Sequence, residues 1–163
     1  MKIHHLRNAT MVIETNGKLI LVAPTLGKKG TAGPTFTLFR FKPQVAEKLL
    51  KDKQIPIICS IKDANTLRKR GLNVTQVVNY WEKTDFLGGT IEGIPAKHGY
   101  GFVSKPMGNV MGFFIKLPNE KSIYLSSDTI YSEAVDIVLK QYNPDISVVA
   151  WGTAQLDIFK PLL

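Results

Sequence analysis

The sequence has a single cysteine and no long hydrophobic run, and these absences exclude several classes of protein. One cysteine among 163 residues cannot form a disulfide within the chain, which excludes a disulfide-stabilised scaffold. Apolar runs such as Met111–Ile115 and Ile146–Trp151 are far shorter than the roughly 20 residues of a membrane-spanning helix. The first residues, Met1–His5, lack the apolar core of a signal peptide, which favours a cytoplasmic location.

Acidic residues are scarce relative to basic ones. The chain has 13 Asp and Glu against 21 Lys and Arg, a formal net charge of +8, and residues 1–53 carry +7 of it. Such a bias is typical of a surface for an anionic ligand or nucleic acid, but a solvated lysine-rich face has the same composition. Hydrophobic residues make up 44% of the chain, which excludes a disordered chain and indicates one globular domain over residues 1–163.

The hydrophobic pattern predicts β-strands first and alternating helices and strands afterwards. Asn16-Gly17 between apolar runs predicts a hairpin, so we expect the chain to begin as an antiparallel meander. Residues 24–43 are predicted to be a long loop, because glycine and proline interrupt them. The other predicted helices and strands are Gln44–Asp52, Asp63–Arg70 and about Tyr131–Gln141 (helices), and Ile55–Ser60, Val74–Tyr80, Thr90–Pro95, Met111–Leu117, Ser122–Ser126 and Ile146–Trp151 (strands). This order predicts a layered α/β fold with mixed sheets.

Two polar residues stand just after predicted strands, where α/β folds place ligands and catalytic groups. Asp128 follows Ser122–Ser126, and His98 follows Thr90–Pro95. An aspartate just before a helix also favours helix capping, and a loop histidine is commonly a solvated polar side chain, so these alternatives stay open. Cys59 lies inside an apolar strand and is predicted to be a core residue.

Four motifs occur in a characteristic order along nearly the whole chain. They are residues 4–14 (HHLRNATMVIE), residues 17–22 (GKLILV), Ala96–Gly99 and Ser127–Thr129. In this order the chain resembles the metallo-β-lactamase superfamily, especially its L-ascorbate-6-phosphate lactonase-like branch of metal-dependent hydrolases. The resemblance implies a four-layer αββα sandwich that binds a divalent metal, zinc or manganese. It also implies that His98 is a metal ligand and that Asp128 is the carboxylate that bridges two metal ions.

The sequence departs from this family at the metal ligands. The family's His-x-His-x-Asp-His run is absent, because the chain has only His4, His5 and His98. His4 and His5 cannot replace it as a pair, since neighbours on a strand point to opposite faces; we expect them on an edge strand with one ring facing solvent. A catalytic zinc takes about three protein ligands plus water, so weak metal binding, or none, is expected.

Further departures concern single positions and length. Ala23 stands where the family has an aspartate, and Ser127 stands where it has a glycine. The resemblance therefore implies a shortened domain, with an internal deletion near residues 24–54 and a truncation at residue 163.

Three functions follow as hypotheses. The first is metal-dependent hydrolysis of a small anionic ester or lactone, with Lys28, Lys29 and Lys97 binding the anion and with activity impaired by the loss of metal ligands. The second is a catalytically inactive binding or oligomerisation module, for which a homo-oligomer is the expected assembly. The third, which we favour least, is nucleic-acid binding through the basic N-terminal third and the phenylalanines of residues 36–41. No membrane partner is expected.

Overall fold

The computed structural model describes residues 1–7, 10–23, 45–97 and 109–149. Their strands are β1 (Lys2–Arg7), β2 (Thr10–Thr15), β3 (Lys18–Val22), β4 (Ile57–Ser60), β5 (Val74–Val78), β6 (Lys83–Phe86), β7 (Gly89–Pro95), β8 (Met111–Lys116), β9 (Ile123–Leu125) and β10 (Ile146–Val148). The helices are α1 (Val45–Asp52), α2 (Ile61–Lys69) and α3 (Glu133–Ile137), and a π-helical segment, Val138–Tyr142, continues α3. None of these helices has the length and apolar character needed to cross a bilayer.

The described elements form mixed sheets with few helices, as expected for an α/β fold. The chain divides into two compact units: an N-terminal unit (Lys2–Cys59 with Ala64–Val77) and a C-terminal unit (Met1, Ser60–Asp63 and Val78–Leu163). A three-stranded sheet of order β1-β2-β3 and the strand pair β4-β5 occupy the N-terminal half of the sequence. A five-stranded sheet of order β10-β9-β8-β7-β6 belongs to the C-terminal unit.

The first sheet is the predicted antiparallel meander. Thr15 pairs with Lys18 across Asn16 and Gly17, whose φ angles of 47° and 68° are both left-handed, as a two-residue type I′ turn requires. Along β2, Met11, Ile13 and Thr15 are buried and the residues between them are half-buried. The alternation therefore fixes which face of β2 is covered.

The core of the C-terminal unit lies between the five-stranded sheet and the helical segment that follows it. Ile94, Phe114 and Tyr124 from the sheet pack with Val135 and Val138 from the helical segment. Strands β8 and β9 form the predicted hairpin, while β10 pairs with β9 in parallel. This parallel pair requires a crossover connection, which α3 and the π-helical segment provide.

Some predicted elements differ from the observed ones. The predicted helix over residues 131–141 begins at Glu133, and its second half is π-helical rather than α-helical. Strand β6 was not predicted, because Lys83–Phe86 is short and half charged. The predicted loop of residues 24–43 lies outside the described residues.

Candidate functional site

The candidate site lies at one edge of the five-stranded sheet. Strands β7 and β9 both pair antiparallel with β8, so they run in the same direction and end at the same edge. Strand β10, parallel to β9, ends there as well. The segments after β7 and β9, on which Lys97 and Asp128 lie, therefore meet at this edge.

Hydrogen bonds join the segments that follow β7 and β9. The Lys97 backbone N–H donates to Thr129 Oγ1 at 2.8 Å, and the Ile130 N–H donates to the Lys97 carbonyl at 2.9 Å. The Lys97 side chain is exposed, as is Asp128. The structure thus places Lys97 and Asp128, two of the predicted site residues, on segments that are held to each other by hydrogen bonds.

Asp128 lies in a tight turn that Ser127 shapes. Ser127 adopts a left-handed φ of 57°, and its hydroxyl donates to the Met111 carbonyl at 2.6 Å. The Thr129 N–H donates to the Ser127 carbonyl at 3.0 Å, which closes the turn around Asp128. The alternative that Asp128 caps the following helix is wrong, because α3 has Ser132 at its N-cap position.

A second polar cluster at the same edge was not predicted. Ser60 Oγ donates to Asp63 Oδ2 at 2.6 Å and accepts from the Asp63 N–H at 3.2 Å, at the start of α2. Asn109 Nδ2, just before β8, donates to Ser60 Oγ at 2.8 Å and to Asp63 Oδ2 at 2.9 Å. The capping-box spacing Ser-x-x-Asp could have identified the first pair. Asn109 carries no such local signal, because its two contacts are distant in sequence.

The remaining predicted site residues are not brought to this edge by described contacts. His98, Lys28 and Lys29 lie outside the described residues. His4 and His5 occupy adjacent positions on β1, an edge strand, and both are exposed. His4 Nε2 lies 3.7 Å from Glu14 Oε2. Cys59 is buried in β4, as predicted for a core residue.

The described residues alone do not fit a catalytic metal. Among residues 1–7, 10–23, 45–97 and 109–149, no three His, Cys, Asp or Glu side chains come together as a metal-binding group. Of the two ligands that the resemblance implies, the structure describes only Asp128. A catalytic zinc site takes three protein ligands and an open position, so the described residues alone do not complete one. The hydrogen bonds described at this edge hold the turn and the start of α2.

Comparison with known proteins gives one curated relative and several solved structures. The UPF0173 protein YddR of Bacillus subtilis (strain 168) is 26% identical over 192 residues, covering 97% of this chain and 75% of YddR. No family model matches the sequence.

Three solved structures share the fold. A possible metal-dependent hydrolase from Veillonella parvula DSM 2008 has a TM-score of 0.76 and 22% identity, over 98% of this chain and 75% of its own. Isothiocyanate hydrolase from Delia radicum gut bacteria has a TM-score of 0.69 and 25% identity, and the match covers 100% of this chain and 76% of that protein. Igni18, a metallo hydrolase from the archaeon Ignicoccus hospitalis KIN4/I, has a TM-score of 0.62 and 14% identity, and the match covers 89% of this chain and 68% of Igni18. The chain therefore shares its fold with these three hydrolase structures.

Proposed function

We propose that this chain is a metallo-β-lactamase-like hydrolase, of αββα architecture, whose hydrolytic activity is impaired because it has too few metal ligands. The observation that carries the proposal is the histidine count. The whole sequence contains three histidines, and two of them, His4 and His5, stand side by side on an exposed edge strand. A dinuclear hydrolytic centre needs more ligands than His98 and Asp128 supply.

The hydrolase part of the proposal is supported by the fold and by the residues at the sheet edge. Two of the structural neighbours are named as metal-dependent or metallo hydrolases. Asp128 follows β9 at the edge where β7 also ends, and His98 follows β7 in sequence. In this proposal His98 and Asp128 are the remaining ligands of a weakly bound zinc or manganese ion, which when bound would supply a Lewis acid.

The internal deletion is supported by the length of the sequence match. The match to YddR extends over 192 positions, more than the 163 residues of this chain, so YddR has residues within the matched region that this chain lacks. A deletion near residues 24–54 would account for the absence of the His-x-His-x-Asp-His run. The loss of these ligands explains the low metal affinity that we propose.

The substrate class is a small anionic ester or lactone, and the location is cytoplasmic. Lys97 is exposed and its backbone is bonded to the Asp128 turn, so its ammonium can bind a phosphate or carboxylate near that turn. Lys28 and Lys29 are proposed to add to this positive charge.

Metal analysis of the purified protein tests the proposal. We expect much less than one zinc or manganese per chain after dialysis, and slow hydrolysis of a lactone and ester panel that rises with added metal. Asp128→Asn and His98→Ala should abolish the metal-dependent part, whereas Glu133→Gln, an exposed carboxylate at the start of α3, should not. A full complement of metal with fast turnover would overturn the impairment. Hydrolysis that is unchanged in the Asp128 and His98 variants would overturn their assignment as ligands.

A further inference from the structure

The two edges of the three-stranded sheet differ in how they are protected. Natural sheets block edge strands with charged residues or bulges, because an open edge can pair with another chain. Strand β1 has both devices: its register shifts between His5 and Arg7, and it carries the charged residues Lys2 and Arg7. Strand β3 has one charge, at Lys18, followed by four apolar residues. In the described part of the chain β3 pairs with β2 alone.

The outer face of this sheet is apolar on the β3 side. Leu19 and Leu21 are 74% and 40% exposed, and they lie on one face because they are two positions apart. The charged residues of the same face, Lys2 and Glu14, lie toward β1, where Glu14 Oε2 is 3.8 Å from Lys2 Nζ and 3.7 Å from the His4 ring nitrogen Nε2. The leucines of this face lie along the β3 edge of the described sheet.

We propose that β3 is a dimerisation strand, which pairs antiparallel with β3 of a second copy of this chain about a two-fold axis at Ile20. The segment Leu19-Ile20-Leu21 reads the same in both directions, so this register is self-complementary. Leu19 lies opposite Leu21 of the partner subunit, and Lys18 lies opposite Val22 of the partner subunit. The pairing brings four leucines together on one face, opposes no like charges, and joins two three-stranded sheets into one of six strands. It is independent of any metal or hydrolytic activity.

Charge substitution on the leucines tests the interface. We expect sedimentation velocity over a concentration series to show a dimer for the unmodified protein and a monomer for Leu19→Lys with Leu21→Lys. The matched control is Ile61→Lys with Leu87→Lys, whose side chains are 62% and 40% exposed; it should stay dimeric. Far-UV circular dichroism should show that both variants are folded. The proposal would be overturned if the unmodified protein were a monomer, which is the result expected if residues 24–44 cover the β3 edge or if no chain pairs with it. It would also be overturned if the leucine variant remained a dimer.

Cysteine cross-linking tests the register. In a Cys59→Ser background, a mixture of Leu19→Cys and Leu21→Cys chains should form a disulfide-linked heterodimer, whereas either chain alone should cross-link several-fold less. In the mixture the two cysteines are directly opposite, with Cβ atoms about 4.5–5.5 Å apart, whereas in either chain alone they are diagonal, about 7–8 Å apart. A disulfide needs a Cβ–Cβ distance of about 3.5–4.5 Å, so only the mixture comes close to it. Equal cross-linking in all three samples, or none in the mixture, would exclude pairing centred on Ile20.

Discussion

Ser127 holds a backbone conformation that suits glycine better than serine. Its φ of 57° lies in the left-handed region, which costs a residue with a Cβ about 1–2 kcal/mol. The hydroxyl offsets part of this cost by donating to the Met111 carbonyl at 2.6 Å. The glycine that the resemblance implies at this position is thus replaced by a side chain that stabilises the same turn in another way.

We predict that Ser127→Ala lowers the free energy of unfolding by about 1 kcal/mol, because it loses the hydrogen bond and keeps the strain. Ser127→Gly loses the same bond but releases the strain, so its stability should be close to that of the unmodified protein. Urea denaturation of the three proteins measures the difference. An alanine variant as stable as the glycine variant would contradict the strain argument.

Glu92 is a charged residue in the core of the C-terminal unit. It is only 2% exposed, and Tyr142 donates a hydrogen bond to its Oε1 at 2.6 Å. Its Oε2 has no hydrogen-bond partner within the described residues. The pKa of Tyr142 is raised to about 12, mainly because the hydroxyl is buried and secondly because it donates a hydrogen bond to Glu92. Burial also raises the pKa of Tyr124 to about 12.

These tyrosines predict a loss of stability in alkali. In the unfolded chain a tyrosine ionises with its ordinary pKa of 10.0, whereas Tyr142 in the folded protein keeps its proton up to about pH 12. The protonated Tyr142 therefore contributes its full share to the free energy of unfolding below pH 10, and this contribution is lost as the pH rises from 10 to 12. We expect Tyr142→Phe to make this pH dependence less steep in urea titrations, since it removes one of the two tyrosines whose pKa is raised to about 12. An equally steep dependence in the variant would contradict the assignment.

At the residue scale, the sequence predicted what the local pattern determines. The hydrophobic pattern placed Asp128 just after a strand. That this strand ends beside the one that precedes Lys97 depends on the sheet order, which the structure supplied. Glu92 and Asn109 were missed, because their roles depend on contacts with Tyr142 and Ser60 that are far away in sequence. No local pattern distinguishes a buried glutamate within a strand from an exposed one.

At the element scale, glycines in β7 and in the first hairpin serve different purposes. A Cβ at Gly93 would lie 2.6 Å from the Asn79 carbonyl oxygen and 3.0 Å from Met111 Sδ. A Cβ at Gly17 would meet nothing within 4 Å, but the φ there is 68°. Gly93 is therefore required for close packing and Gly17 for its backbone conformation.

We predict that Gly93→Ala costs about 3 kcal/mol or more, because the backbone of two segments must separate. Gly17→Ala should cost only about 1 kcal/mol, through backbone strain alone. Thermal unfolding of both variants under one set of conditions measures the order. Similar losses in the two variants would show that residues 79 and 93 can separate at little cost.

The elements were predicted where their signals are local. The Asn16-Gly17 dipeptide correctly indicated the hairpin between β2 and β3. The π-helical segment was missed, because a period near 3.6 does not distinguish bonding over four residues from bonding over five. The Asn143 N–H donates to the Val138 carbonyl at 3.1 Å, five residues earlier, and that wider turn became visible only in the structure.

At the scale of the whole molecule, charge is unbalanced. With a net charge of +8, the excess positive side chains repel one another in the folded protein, and salt screens this repulsion. We predict that Tm rises as sodium chloride is added at pH 7, because the surface ion pairs that salt also weakens contribute little. Near the sequence isoelectric point of about 9.6 the dependence should vanish. A Tm that falls with salt at pH 7 would indicate that attractive pairs dominate.

An α/β fold like that of the solved hydrolase structures was predicted from the order of four motifs, whereas the division into two units was not. The N-terminal unit combines residues 2–59 with residues 64–77, so it joins segments that are separated in the sequence. Strand pairing across such separations depends on packing rather than on local propensity.

The contact between Trp81 and Tyr142 makes the molecule its own optical reporter. Their ring centroids lie 6.3 Å apart, and Tyr142 closes the π-helical segment while Trp81 precedes β6. At this separation light absorbed by the tyrosine is passed efficiently to the indole. With Trp151 replaced by phenylalanine, the part of the tyrosine-sensitised emission of Trp81 that Tyr142→Phe removes would follow the release of the π-helical segment during unfolding, without any added dye.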